Sequence, residues 1–271
     1  MFRLGKLSLV ITTHCNLKCK LCCEYVPQNH AFPDMSVEEE EKILNAAFEV
    51  LDYVDTLHLT GGGEPFLHPR LPEMIETAMR YQQRFGRLML FTNSTVPVRG
   101  ALLDALRANS GKLLVQASQY GIFPEREQEN AKILRDSGVA CKFVKYYGDN
   151  QDFGGWVDFG PWECQHNSAE ALKARFRNCA VNAAMHGNWR TRDGKVHWCS
   201  RSQRGMELGL IPDCPEDYVD LLDNSTSPEE KRDKFLAIAG KAYLSACDRC
   251  SGDQGTEDEN LRHPAAEQME D

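Results

Sequence analysis

Near the start of the chain, Cys15, Cys19 and Cys22 stand in the spacing Cys-x3-Cys-x2-Cys, and no other feature constrains the fold and its chemistry as much. They follow Leu7-Ser8-Leu9-Val10-Ile11, a short apolar run that reads as a first β-strand opening into the cysteine loop. Three thiolates on one tight loop suit three irons of a 4Fe–4S cube and leave the fourth iron open to a ligand. Structural zinc takes four ligands, commonly from paired Cys-x2-Cys knuckles, and fits three unevenly spaced cysteines poorly.

Composition narrows the setting. The chain has 271 residues, is 42% apolar and carries a formal charge of −9, so it can bury a sizeable core. No basic block offsets the acidity, which argues against nucleic acid or an anionic membrane surface as partner. No run approaches the ~18 apolar residues of a membrane span, and no secretory signal opens the chain. Eleven cysteines in that context point to metal or redox chemistry rather than a disulfide scaffold, with a cytoplasmic location expected.

Strand-like and helix-like segments alternate through the first half. Ser36 with Glu39 forms a capping box before the helical set Ile43, Leu44, Ala47, Phe48 and Leu51. Thr56–Thr60 reads as a second strand. Pro72 opens a helix through Met74, Ile75, Ala78 and Met79, with Gly86 as its stop. Leu88–Phe91, Leu113–Val115 and Val139–Tyr146 read as further strands, separated by helices at Ala101–Leu106 and about Arg126–Ser137. Such βα alternation predicts a parallel sheet whose functional groups gather at the C-terminal strand ends. Gly61-Gly62-Gly63-Glu64-Pro65 follows the second strand, Thr92-Asn93-Ser94 the third and Gln116-Ala117-Ser118 the fourth, all on the same rim as the cysteine loop.

Taken together, the three cysteines and the glycine run resemble the radical S-adenosylmethionine (SAM) family. That resemblance implies an α/β fold with a partial (β/α)6 barrel, a 4Fe–4S cluster on Cys15, Cys19 and Cys22, and SAM chelated at the open iron. It further implies that Gly62, Gly63 and Glu64 take the methionyl ammonium, with Asn93 and Ser118 toward the ribose and carboxylate. An ordinary turn-forming role is as good a reading of Asn93. The family often has an aromatic residue before the third cysteine; here it is Leu21, which leaves adenine packing to another side chain.

Cys179, Cys199, Cys247 and Cys250 make a second constellation. Asp193-Gly194, flanked by strand-like segments, signals a two-residue hairpin that ends near Cys199. Ser227-Pro228-Glu229-Glu230 opens a helix leading to Cys247-x2-Cys250. On spacing alone the four thiolates would equally suit tetrahedral zinc. They resemble the twitch domain, the short form of the SPASM extension of radical SAM enzymes, and so imply a second, auxiliary 4Fe–4S cluster. The expected organisation is a radical SAM core over 1–160, a small hairpin-plus-helix twitch domain over 161–255 and an acidic, mobile tail over 256–271.

The resemblance also implies the reaction class. A 5′-deoxyadenosyl radical abstracts a hydrogen atom, and a fully cysteine-ligated second cluster accepts an electron, as in the aminocyclitol dehydrogenase type that oxidises a sugar-like alcohol to a ketone. A small-molecule substrate and an external one-electron reductant such as flavodoxin or ferredoxin are the partners expected. Lys145, His166, Arg190 and Arg192 are candidate bases, none singled out. The alternatives are a radical epimerase on an aminosugar, which a cysteine outside both motifs in the barrel mouth would favour, and modification of a ribosomally made peptide. A first strand near Leu7 leaves no room for a fused leader-recognition domain and counts against the last. Cys23 and Cys141 read as packing, while Cys164 and Cys214 stay open as hydrogen donors or substitute ligands.

Overall fold

The computed structural model describes residues 1–26, 30–183 and 185–270. Five strands, β1 (Arg3–Thr12), β2 (Tyr53–Gly61), β3 (Phe85–Thr92), β4 (Leu113–Gln119) and β5 (Ala140–Lys145), pair in parallel in chain order. The crossovers are helices α1 (Val37–Val50), α2 (Leu71–Met79), α3 (Gly100–Ala108) and α4 (Pro124–Asp136). On the other side of β1 lies a short C-terminal set, β6 (Arg190–Thr191), β7 (Lys195–His197) and β8 (Tyr218–Asp220). β6 pairs parallel with β1, then β7 and β8 run antiparallel. The result is one eight-stranded sheet in the order β5-β4-β3-β2-β1-β6-β7-β8. The sixth parallel neighbour therefore comes from the hairpin rather than from another βα unit.

Alternation along β1 decides which face carries what. Leu7, Leu9 and Ile11 join Leu57, Leu59, Leu88 and Leu90 against the apolar stripes of α1 and α2. Each such side chain, fully withdrawn from water, contributes about 1.5–3 kcal/mol. The other face is polar: Ser8 Oγ lies 3.3 Å from His58 Nδ1, and Ser8 pairs in register with Arg190. Burial, with Lys6 and Arg190 nearby, pushes His58 down to about 3, so this inner histidine is neutral. Remaining helices are α5 (Ala169–Asn178), α6 (Ala180–Ala183), α7 (Ser200–Glu207) and α8 (Pro228–Ala239).

Both expected capping boxes form, at Ser36/Glu39 and Ser227/Glu230. Three details differ from the sequence expectation. Gly86 lies inside β3, not at a helix stop; a Cβ there would fall 2.6 Å from the Asp55 carbonyl oxygen, so glycine lets β2 and β3 approach. Residues 116–118 lie within β4, which runs to Gln119. The acidic tail is also not free of the body: Lys20 N–H donates to the Glu267 carbonyl, Met269 N–H to the Lys18 carbonyl, and Ala266 is 2% exposed. Its few apolar groups pack on Leu17, Cys19 and Trp156, an anchorage that composition alone does not reveal.

The hairpin turn holds Gly194 at φ +94°, with its carbonyl accepting Leu221 N–H and a would-be Cβ 2.6 Å from Leu222. A side chain is thus excluded by both conformation and space.

Candidate cofactor and substrate site

The C-terminal ends of β1 to β4 open into a cavity of about 270 Å³. Cys15, Cys19 and Cys22 line it from the loop after β1, and Gly62, Gly63 and Glu64 from the loop after β2. Asn93 after β3 and Ser118 on β4 complete the set expected from the sequence. The glycine run closes on the cysteine loop by main chain: Gly62 N–H and Gly63 N–H donate to the Thr12 carbonyl, and Glu64 N–H to the His14 carbonyl. A Cβ at Gly63 would sit 2.0 Å from that His14 oxygen, which is why the position has no side chain.

Glu64 is buried, its carboxylate accepting Phe66 N–H at 3.0 Å and Asn93 N–H at 2.6 Å. Burial outweighs those donors and pushes its carboxyl up to about 7. A ligand cation in the cavity would hold it ionised. Asn93 is engaged locally: its Oδ1 accepts from Thr95 and its Nδ2 donates to Asn16. Ser118 shares hydrogen bonds with the Tyr120 and Tyr146 hydroxyls. Burial pushes the thiols up, Cys15 to about 11 and Cys19 to about 12, with Cys22 raised as well. They hold protons at neutral pH and release them on binding a metal.

Sequence reasoning missed part of this cavity. Tyr120, Tyr146 and Trp156 form an aromatic corner, with ring centroids 5.2 Å apart for the tyrosines and 5.5 Å for Tyr120–Trp156. Tyr120 and Tyr146 each follow a strand end by one residue, the same positional signal that picked out Asn93. Here is aromatic surface to replace what Leu21 lacks. Cys23 and Glu24 also line the cavity. Glu24 receives a bidentate pair from Arg190, at 2.5 and 2.6 Å, and Arg190 is 3% exposed.

The other candidate bases lie away from this cavity. Lys145 stacks over Tyr147, Arg192 binds Glu207 and lies over Phe32, and His166 sits beside Cys164.

The second constellation also comes together. Cys179, Cys199, Cys247 and Cys250 line one apolar cavity with Phe176 and Trp198. Each sulfur accepts a backbone N–H: Cys179 from Asp253, Cys199 from Ser202, Cys247 from Leu244 and Cys250 from Gly252, at 3.2–3.5 Å. Arg175 clamps the Cys247–Cys250 turn by donating to both their carbonyls. The Trp198 indole N–H is buried with no acceptor. Among the described residues, no group of three or more His, Cys, Asp or Glu forms a single-ion site. The four thiols line one common cavity.

The sequence model of the Radical SAM superfamily matches residues 9–116, the stretch from β1 into β4 that carries the cysteine loop, the glycine run and Asn93. Over that stretch the chain is similar to the Radical SAM superfamily. Among curated proteins, the chain is 38% identical over 89 residues to an S-adenosylmethionine-dependent nucleotide dehydratase of Lacinutrix mariniflava. That match takes in 30% of this chain and 17% of the relative, so it spans about a sixth of the relative's length. The structure of BtrN in complex with AdoMet and 2-DOIA superposes with a TM-score of 0.56 at 13% identity, covering 98% of each chain. Native anSMEcpe with bound AdoMet gives 0.55 at 14%, over 97% of this chain and 93% of that one. These are likenesses of fold. No helix among the described residues is long and apolar enough to cross a membrane.

The match to the Radical SAM superfamily implies a 4Fe–4S cluster and SAM, and the donors present fit both. The three thiols line a cavity shared with the buried Glu64 carboxylate and aromatic rings.

Proposed function

We propose that this protein removes a hydrogen atom from a sugar or aminocyclitol alcohol and completes its oxidation to a ketone. The observation that carries this reading is the four-thiol cavity, in which every sulfur already receives a backbone N–H. When bound, SAM and its cluster supply a 5′-deoxyadenosyl radical, and a fully thiolate-held second cluster supplies an electron acceptor. The atoms balance as follows: the alcohol carbon loses one hydrogen atom to form 5′-deoxyadenosine, its hydroxyl loses a proton to a base, and one electron leaves for the second cluster.

This chain's own residues bind, orient and exclude. Gly62 and Gly63 let a ligand approach the main chain, and Glu64 offers a carboxylate to its ammonium. Tyr120, Tyr146 and Trp156 offer apolar faces to adenine and substrate and keep water from the reacting carbon. Glu24 is the base in this reading: it lines the cavity, and Arg190 fixes its orientation and offsets its charge. Reduction is assigned to an external one-electron donor such as flavodoxin or ferredoxin.

Cys23 favours a second reading. It is a thiol outside both ligand sets that lines the same cavity as the three-cysteine loop. In a radical epimerase it would return a hydrogen atom to the opposite face of the substrate carbon. Its own thiyl would then take up an electron from the second cluster, resupplied by the external one-electron donor, and a proton from solvent.

The test is anaerobic reconstitution with iron and sulfide, then reductant, SAM and a panel of aminocyclitols and aminosugars in deuterium oxide. Ketone formation without deuterium at carbon supports the dehydrogenase. Deuterium at an inverted carbon, lost in Cys23→Ala, supports the epimerase. No substrate consumed across the panel, with 5′-deoxyadenosine still formed, rejects the substrate class.

A further inference from the structure

The acidic tail ends on the cysteine loop, at one of its sulfurs. Cys19 and Gln268 form an antiparallel bridge, flanked by Lys20 N–H to the Glu267 carbonyl and Met269 N–H to the Lys18 carbonyl, at 2.8 and 2.7 Å. Lys20 Nζ meets the Glu267 carboxylate at 2.5 Å. Ala266, 2% exposed, packs with Leu17, Cys19 and Trp156 beneath this bridge. Some 250 residues of chain separate partners that lie side by side, since Lys18 and Gln268 are 250 apart in sequence.

The orientation of the Gln268 amide is fixed by its surroundings. Lys18 N–H points at one end from 2.8 Å, and a backbone N–H can only donate, so that end is the oxygen. The other end faces the Ala266 carbonyl at 2.6 Å and the Cys19 sulfur at 3.4 Å. A carbonyl oxygen only accepts, so that end is the NH₂ group and both its hydrogens are used. Cys15 and Cys22 receive backbone donors from their own loop. Cys15 also has the Asn93 amide at 4.0 Å, whereas among the described residues the donor on Cys19 comes from the C-terminal segment and lies closer, at 3.4 Å.

We infer that Gln268 is a positioning residue for the cluster on Cys15, Cys19 and Cys22. Its N–H⋯S bond stabilises the extra negative charge of the reduced cluster and sets the reduction potential higher than the loop alone would give. This rests on the family's cluster occupying that loop. The second cavity differs in this respect, because each of its sulfurs is supplied by main chain.

The experiment is a redox titration of the reconstituted full chain, followed by electron paramagnetic resonance, on the parent, Gln268→Met and Gln268→Glu. The methionine variant keeps the length and removes the donor. The glutamate variant keeps an acceptor for Lys18 and replaces the amide with a group that repels thiolate. Both are expected to shift the first cluster to more negative potential, the glutamate variant further, with iron content and the second cluster's potential unchanged. An unshifted first cluster in either iron-loaded variant overturns the inference. Loss of that cluster without a shift also overturns it, making the contact purely structural. A parent whose spectrum does not respond to SAM refutes the cofactor assignment itself, which is a separate failure.

Discussion

The two cysteine cavities differ in what they leave open. The first presents the three motif cysteines, with Cys23 beside them, to a roomy pocket that also holds two glutamates, a glycine run and four aromatic residues. The second presents four thiols to a mainly apolar enclosure of phenylalanine, tryptophan, valine and leucine, with Arg175 and Arg201 also in its wall. An incomplete donor set beside polar groups invites an exchangeable ligand, whereas a complete set beside apolar groups holds a resident one. Under the function proposed above, the same residue type would serve binding in one place and electron storage in the other.

The largest expected effect comes from erasing the first cavity's donors. Cys15→Ala/Cys19→Ala/Cys22→Ala is expected to lose about four irons, retain about four in the second cavity and form no 5′-deoxyadenosine. Iron and sulfide analysis with product chromatography reads this, and a chain left with no iron would break the separation between the two sites. The converse change, Cys247→Ala, should preserve SAM cleavage while ketone formation collapses; retained ketone would show that the second site is no acceptor.

Glu24→Gln leaves Arg190 buried without its counter-charge, since these side chains are 13% and 4% exposed. Breaking such a pair costs about 3–5 kcal/mol, read as a lower denaturant midpoint in the iron-free chain. Because Glu24 belongs to the first loop and Arg190 to the C-terminal hairpin, an unchanged midpoint would mean the two regions are not coupled through this pair.

Glu40 provides a control that lines neither cavity. It is fully buried on α1, neither carboxylate oxygen has a partner, and burial pushes it up to about 9. A carboxyl raised above its ordinary 4.5 contributes no penalty below that pH, and its stability is lost progressively as pH rises toward 9. Glu40→Gln should therefore flatten the stability profile between pH 5 and 9. It is worth about 3 kcal/mol at pH 7, with iron content unchanged. A variant with the parent's pH slope would disprove that account.

The smallest effect is expected from Trp198→Phe, which removes from a wall residue of the four-thiol cavity an indole N–H that has no partner among the described residues. The second cluster's potential should move slightly negative while the first stays put. A shift in the first instead would contradict the placement of that donor.

Much of this was legible in the sequence because local rules carried it. Ser36/Glu39 and Ser227/Glu230 specify helix starts by their own chemistry, and the cysteine loop and glycine run follow strands whose apolar runs are unmistakable. Gly86 was misread because a glycine after a helical pattern resembles a stop, while its actual demand comes from Asp55 on the neighbouring strand. The Glu24–Arg190 pair and the Gln268–Cys19 contact were invisible for a related reason. Their partners are 166 and 249 residues apart, and nothing in either local sequence announces the other. Composition marked the tail as mobile, yet a single alanine and a few main-chain bonds suffice to seat it.

The continuity of the sheet through β1 and β6 has a consequence for electron flow. Both cavities are built on loops hung from one hydrogen-bonded sheet, with β1 feeding the first and the β6–β7 hairpin feeding the second. If both cavities hold the clusters proposed above, an electron passing between them would cross a gap spanned by this one sheet.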